Sequence, residues 1–215
     1  MQIAIVDLGL GNLRSVEQAL RAVAPDANVI ISSDAATITN ADRVVLPGQG
    51  AIVTWFNALR DRGLASAVRK SIAEKPLLGI CVGMQALFDY CDEGGGVDGL
   101  GLVGGSVRHF SNFHTSGGPR LKIPQMGWNQ LRQTNNHALW HGINDQSYFY
   151  FVHSYCANIT AETSEEAVVG TADYGHEFVA AIASDNVFAV QFHPEKSHDD
   201  GLKLLSNFTQ WNPDS

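Results

Sequence analysis

The first half of the chain alternates short apolar runs with amphipathic segments, and this alternation restricts the folds that the chain can adopt. The β-type runs occupy residues 3–7, 29–32, 43–46 and 77–80. Between the first two runs, hydrophobic residues recur at helical spacing, and residues 52–73 repeat this pattern with a break near Gly63. A further helix is expected over 84–90. Strands that alternate with helices are joined by right-handed crossovers, so the pattern predicts a mainly parallel sheet flanked by helices, an α/β fold.

The second half of the chain has a different organisation. Short β-type runs follow one another closely at 148–152, 155–159, 167–171, 178–182 and 187–192, and a helix is expected over 201–208. Such spacing is typical of an antiparallel layer added to the sheet. Because no repeat, low-complexity stretch or linker divides the chain, we expect a single domain over residues 1–215.

Composition excludes several classes of protein. The net charge is −8 and no cluster of Lys and Arg occurs, which argues against nucleic-acid binding. No apolar run approaches the ~18 residues of a membrane span, and the N-terminal MQIAIVD predicts a first strand rather than a signal peptide. Three cysteines, an odd number without a C-x-x-C pair, favour a reducing, cytoplasmic setting.

The segment PLLGICVGMQALF is the strongest local signal of chemistry. A buried strand runs into Gly-Ile-Cys-Val-Gly and then a helix, which is the context of a nucleophile elbow. Cys81 would lie at the start of that helix, where free backbone N–H groups favour a thiolate. The N–H of Val82 is placed to bind an oxyanion. The alternative interpretation is a buried structural cysteine at a tight turn.

A nucleophilic cysteine needs a base and a group that orients the base. His193, in VFAVQFHPEKS, follows a strand that we expect to end at the functional edge of the sheet. Glu195 lies two residues further on, across Pro194, and its carboxylate could hold the imidazole in the correct tautomer. A surface His-Pro turn is the alternative. His153, inside an aromatic strand, is a rival base that has no carboxylate near it in sequence.

Two glycine-containing turns carry weaker signals. Gly50 follows Gln49 in PGQG at the end of the third strand, where a peptide N–H could complete an oxyanion hole. The other turn, DLGLGN, has Arg14 where a dinucleotide-binding loop has its third glycine, so a nucleotide site is not expected there. The histidines show no metal-ligand spacing, so we expect neither a metal nor a cofactor.

The order PGxG, GICxGMQ, HPEKS resembles the class I, triad-type glutamine amidotransferases, whose fold is flavodoxin-like. VDLGLGNLRSV, PQMGWNQL and YFVHSY are similar to the glutaminase subunits of imidazole glycerol phosphate synthase, an enzyme of histidine biosynthesis. The likeness covers nearly the whole chain, and PQMGWN carries most of the narrower match.

The resemblance implies that Cys81 attacks the side-chain amide of L-glutamine, that His193 transfers the proton and that Glu195 orients His193. It implies oxyanion and substrate contacts at Val82, Gln49, Gly50, Gln85, His153, Ser154 and Tyr155, and partner contacts at Tyr150 and Lys196. The implied partner is a (β/α)8-barrel cyclase in a heterodimer. This cyclase receives the ammonia and makes imidazole glycerol phosphate and AICAR.

The chain departs from the family pattern at two positions, with Leu8 where many relatives have Tyr and Gln49 where they have Val. The polar segment 111–122 has no assigned role. Three alternatives stay open: a glutaminase subunit of a different ammonia-using synthase, a flavodoxin-like cysteine peptidase or chaperone, and a non-catalytic binding module.

Overall fold

The computed structural model of the chain describes residues 1–113, 121–158, 160 and 163–213. The strands are β1 (Gln2–Val6), β2 (Asn28–Ser32), β3 (Arg43–Gly48), β4 (Leu77–Cys81), β5 (Phe88–Cys91), β6 (Val97–Asp98), β7 (Val103–His109), β8 (Gln125–Gln130), β9 (Arg132–Gln133), β10 (Tyr148–His153), β11 (Tyr155–Ala157), β12 (Val168–Asp173), β13 (Glu177–Ser184) and β14 (Val187–Val190). The helices are α1 (Leu13–Val23), α2 (Ala35–Asn40), α3 (Ile52–Asp61), α4 (Ala65–Glu74), α5 (Val82–Gln85) and α6 (His198–Gln210).

A parallel sheet with the order β2-β1-β3-β4-β14 forms the centre of the fold. In register, Gly79 of β4 lies between Leu46 of β3 and Ala189 of β14. The residues of β3 and β4 are all buried, as expected for strands covered on both faces. The mainly parallel sheet predicted from the alternating pattern is therefore confirmed, and it brings the ends of β3, β4 and β14 together at one edge.

Helices cover the two faces of this sheet, as right-handed crossovers require. Helix α1 packs against α6, and α2 packs against α4. The apolar spacing that predicted α1 buries Val16, Ala19 and Leu20 against the core. The predicted break near Gly63 separates α3 from α4. None of the helices within the described ranges is long and apolar enough to cross a membrane.

An antiparallel part continues the sheet beyond β14. Strand β13 pairs antiparallel with β14 and β11 along one side and with β12 along the other, and β11 leads on to β7, β5 and β6. Strands β8 and β10 form a separate two-stranded antiparallel sheet. The antiparallel layer expected in the second half is thus confirmed. That residues 1–215 form one domain stays a prediction.

Three predicted elements differ from the structure. The helix expected over 84–90 is wrong, because α5 ends at Gln85 and the chain enters β5, which buries Phe88 and Cys91 and pairs with β7. A short apolar stretch is compatible with both helical and strand periodicity, so its secondary structure is determined by its pairing with β7. The strand expected over 187–192 ends at Val190. Strand β11 ends at Ala157, and position 159 lies outside the described residues, as does most of the polar segment, at 114–120.

Candidate active site

Cys81 is the last residue of β4 and directly precedes α5, so the strand–turn–helix geometry expected of an elbow is confirmed. Its backbone has φ 56° and ψ −110°, a conformation that costs a residue with a side chain about 1–3 kcal/mol. Close packing stabilises this turn. A Cβ on Gly83 would lie 1.9 Å from the carbonyl oxygen of Leu46, so only glycine lets the elbow rest directly on β3.

His193 lies just beyond the end of β14 and meets Cys81, which ends the neighbouring strand. Its Nδ1 is 2.8 Å from Oε1 of Glu195, and both side chains are 2% exposed. Pro194 opens the short 3-10 turn that carries Glu195 back to the ring. The His193 ring also lies close enough to Cys81 for this residue to raise the pKa of His193. Because Nδ1 is engaged by the carboxylate, Nε2 is the ring nitrogen left for the thiol.

Opposing effects act on the charge of His193. Burial lowers its pKa, but the negative charge of Cys81, the hydrogen bonds to Cys81 and Glu195 and the charge of Glu195 together raise it above its usual value. Cys81 and Glu195 therefore favour the protonated, imidazolium form of His193. A base that holds a proton taken from a thiol needs this arrangement.

His153 lies in the same region but has a different environment. Its Nδ1 is 2.7 Å from the carbonyl oxygen of Tyr155, and its Nε2 is 3.0 Å from the side-chain amide of Gln125. Burial lowers the pKa of His153 to about 4, so the ring stays neutral near neutral pH. Since both nitrogens already have partners, the geometry favours His193 over His153 as the base.

A cavity of about 460 Å³ opens in front of Cys81, large enough for an amino acid. Its lining includes all the residues for which we predicted oxyanion or substrate contacts, together with Lys196. Those contact residues are Gln49, Gly50, Val82, Gln85, His153, Ser154 and Tyr155. Tyr150 is not part of the lining. The elements expected to meet at the sheet edge therefore surround one cavity.

Glu93, which was not predicted from the sequence, also lines this cavity. It lies in a short 3-10 turn after β5, and its Oε2 accepts a hydrogen bond of 2.7 Å from the backbone N–H of Ile52. The carboxylate supplies a negative charge that suits an ammonium group. Its only sequence signal was an acidic pair, Asp92 and Glu93, before three glycines, and nothing local tied it to the start of α3.

The turn after β3 holds Gly50 with φ 81°, a left-handed conformation that glycine adopts at little cost. The side chain of Gln49 leans on the opposite loop, where its Oε1 accepts a hydrogen bond of 3.3 Å from the N–H of Asn12. A Cβ on Gly11 would lie 2.9 Å from Cδ of Gln49. Gln49, one of the two residues that depart from the family pattern, thus connects the turn after β3 to the DLGLGN loop.

The β8–β10 sheet presents an exposed face beside the cavity. Its members are Met126, Trp128, Tyr148 and Tyr150, of which the first three are among the most exposed large hydrophobic side chains. Trp128 stacks on His198 with ring centroids 4.9 Å apart and meets Tyr150 edge-on. Lys196 is also exposed. Exposed aromatic residues in one patch are typical of a surface that binds another protein.

Comparison with known proteins agrees with this geometry. The model of the family "Glutamine amidotransferase class-I" matches residues 4–211. Among solved structures, a putative GMP synthase subunit from Thermoplasma acidophilum superposes with a TM-score of 0.68 at 21% identity, covering 98% of this chain and 92% of that one. A glutamine amidotransferase superposes with a TM-score of 0.69 at 19% identity, over 96% and 98%. These likenesses support the fold, and the family match assigns the class: the chain belongs to the class-I glutamine amidotransferases.

Closer relatives narrow the group. Imidazole glycerol phosphate synthase subunit HisH of Nitrosomonas europaea is 49% identical over 213 residues, covering 98% of this chain and 99% of that protein. The subunit of the same name from Dechloromonas aromatica is 51% identical over 214 residues, covering 98% and 97%. Within its family, the chain groups with these glutamine amidotransferase subunits.

Proposed function

We propose that the chain hydrolyses L-glutamine to glutamate and ammonia and passes the ammonia to a cyclase that makes imidazole glycerol phosphate and AICAR in histidine biosynthesis. The observation that best supports this reaction is the buried row of contacting side chains from Cys81 through His193 to Glu195, at the floor of a cavity of the size of an amino acid. The pathway is supported by the names of the relatives, which are about 50% identical to this chain over nearly its whole length.

The proposed reaction has two halves. In the first, Sγ of Cys81 bonds to the side-chain carbonyl carbon of glutamine while His193 takes the thiol proton. The C–N bond then breaks, His193 returns the proton to the leaving nitrogen, and ammonia departs from a thioester. In the second half, water attacks the thioester with His193 again as base. The C–S bond breaks, glutamate is released and the thiol re-forms.

Negative charge develops on the carbonyl oxygen in both halves. The backbone N–H of Val82 follows the nucleophile and is fixed by the start of α5, so it is a suitable oxyanion donor. The second donor is assigned to the Gln49–Gly50 turn, which borders the same cavity. Loss of one such donor commonly costs about 10²–10³ in rate.

The remainder of the cavity suits the two charged groups of the substrate. Glu93 faces it with a carboxylate that complements the α-ammonium group. The backbone from His153 to Tyr155 is available to the α-carboxylate, and Oε1 of Gln85 is left to accept from the α-ammonium group, because Nε2 of Gln85 already donates to Tyr155 and Gln191. An uncharged glutamine side chain then points towards Cys81. This distribution of charge favours a free amino acid over a peptide.

The proposed partner is the cyclase subunit with its (β/α)8 barrel, which forms a heterodimer by covering the exposed face of the β8–β10 sheet. Trp128 and Tyr150 lie at its centre in register, and Lys196 lies next to Glu195 at the rim of the cavity. Apolar and aromatic anchors beside a cavity would seal it against water. All three cysteines are free, which supports a reducing, cytoplasmic setting.

The nucleophile is tested by Cys81→Ala in the complex with the cyclase. Loss of a covalent nucleophile commonly lowers the rate by several orders of magnitude, so ammonia release should fall to background with folding retained. Cys156→Ala is the matched control, because Cys156 is also buried and its burial raises the pKa of its thiol. Substantial ammonia release by purified Cys81→Ala protein would refute the assignment.

The partner is tested by comparing glutaminase kcat for the lone chain, the complex, and the complex with the nucleotide ligand of the cyclase. We expect an increase of about 10²–10³ in the last case, the worth of one oxyanion donor brought into place. If the lone chain were as active as the liganded complex, activation by the partner would be excluded. Failure of the chain to bind the histidine-pathway cyclase would favour a different ammonia-using synthase.

A further inference from the structure

Gln191 has no role in the mechanism described above, yet its side chain is completely buried beside the nucleophile. It is the residue that follows β14, and its backbone N–H donates to the carbonyl of Ala180 at 2.9 Å. A buried side-chain amide needs partners for both its oxygen and its nitrogen, because an unsatisfied polar group costs free energy. These partners are Gln85 and Cys81.

The orientation of the Gln191 amide follows from its neighbours. Nε2 of Gln85 donates to the carbonyl oxygen of Tyr155 at 3.0 Å, and this carbonyl can only accept. The same nitrogen donates its second hydrogen to Oε1 of Gln191 at 2.9 Å. Turning the Gln191 amide by 180° would set two NH₂ groups against each other. The nitrogen of Gln191 therefore points the other way, towards Sγ of Cys81 at 3.6 Å.

The sulfur of Cys81 thus receives two contacts of different kinds. In the proposed reaction, the imidazole of His193 exchanges a proton with it. The amide of Gln191 can only donate to it, and a donor favours the charged form of its acceptor. We propose that Gln191 is a further catalytic residue of this site, which holds the thiolate of Cys81 in place, and that Gln85 is the positioning residue that aims it.

This inference rests on the proposed role of Cys81 as the nucleophile. Removal of the Gln191 donor should lower kcat with little change in KM, because the amide touches the sulfur and is absent from the cavity lining. A hydrogen bond to a charged group is commonly worth a factor of ten or more, so we expect kcat to fall about tenfold.

The test is the pH dependence of Cys81 alkylation by iodoacetamide, followed by mass spectrometry of the peptide that contains this residue. Gln191→Met keeps the size of the side chain and removes the donor. We expect the pH midpoint of the alkylation rate to rise by about one unit, the equivalent of a tenfold loss. Gln85→Met should move the midpoint in the same direction by less, because Gln191 stays in place but loses the contact that fixes the orientation of its amide.

Gln125→Met is the matched control. Gln125 is a glutamine of similar burial, and its side chain contacts His153. Its substitution should leave the midpoint where it is. An unchanged midpoint in folded Gln191→Met, or an equal rise in Gln125→Met, would overturn the proposal. If Gln191→Met does not fold, an unchanged midpoint in Gln85→Met overturns it. Ammonia release by Cys81→Ala would instead overturn the proposed function itself.

Discussion

Gly83→Ala is the sharpest perturbation of the elbow, because local preference and tertiary packing act on it in opposite directions. Within helix α5, alanine is favoured over glycine by about 1 kcal/mol. The new Cβ, however, would lie 1.9 Å from the carbonyl oxygen of Leu46 and 3.0 Å from its carbonyl carbon. Leu46 is completely buried in β3, between β1 and β4, so its backbone has no room to withdraw.

The clash therefore has to be relieved by the elbow itself. A normal carbon–oxygen contact requires a displacement of roughly 1 Å, and overpacking of this kind costs about 1–3 kcal/mol. A misplacement of about 1 Å near reacting groups lowers the rate about 10²-fold. We expect kcat/KM for glutamine to fall about 100-fold in the complex. We also expect a lower Tm, by about 2–4 °C for each kcal/mol lost.

Gly63→Ala separates the loss of activity from the loss of stability. Gly63 lies in the turn between α3 and α4 with φ 67°, and a Cβ there meets nothing within 4 Å. Its left-handed backbone makes alanine cost about 1–2 kcal/mol, similar to the effect expected at Gly83. Thermal unfolding should find both variants destabilised, and glutaminase assays should find a loss of activity of about 100-fold in Gly83→Ala alone. Normal turnover by Gly83→Ala would refute the idea that this contact sets the nucleophile.

Three further predictions concern the histidines and the exposed face. His193→Asn should abolish hydrolysis and leave binding of a glutamine analogue unchanged, whereas His153→Asn should mainly weaken binding; steady-state kinetics and calorimetry distinguish the two, and the reverse pattern would reassign the base. Burial lowers the pKa of His137 to about 4 from an unfolded value of 6.5. The unfolded state therefore binds more protons between these values, and stability is present above pH 6.5 and lost as the pH falls towards 4. His137→Asn should reduce the loss of folding free energy between pH 7 and pH 5 by about 2 kcal/mol, as measured by urea titrations. An unchanged decrease of stability at acid pH would contradict the lowered pKa of His137. Trp128→Ala should weaken binding to the cyclase by about 2 kcal/mol or more, the size of about a 30-fold rise in Kd, with the lone chain equally stable; unaltered affinity would place the interface elsewhere.

The parts of the site that the sequence predicted are those encoded by short segments. Cys81 with its flanking glycines, and His193 with Glu195 two residues on, each sit at the end of a strand whose period is readable locally. Parallel strands place such ends at one edge, so the alternation of strands and helices was enough to bring them together. The base was likewise chosen on local grounds, by its nearby carboxylate.

The parts that were missed depend on contacts between distant segments. Glu93 reaches the cavity because β5 pairs with β7, and the sequence around 84–90 fits a helix as well as this strand. The local pattern of hydrophobic residues does not distinguish a helix from a strand in this segment. The sequence therefore predicted neither strand β5 nor a role for Glu93. Gln191 did leave a trace, as a single amide inside the apolar run VFAVQF, but its meaning depends on Gln85, 106 residues away.

The exposed face is joined to the base through strand β10, and this arrangement bears on how a partner could act on the site. The N–H of His193 donates to the carbonyl of Tyr150 at 2.9 Å, and the N–H of Tyr150 donates to Oγ of Ser197 at 3.0 Å. Ser197 in turn donates to the carbonyl of His193. Strand β10 thus fastens the turn that carries His193 and Glu195, whereas Cys81 belongs to β4 in the core of the main sheet. A protein bound to Trp128 and Tyr150 would therefore act on the base while the nucleophile stays fixed. Such a division suits a site that should turn over glutamine only when an acceptor for ammonia is in place.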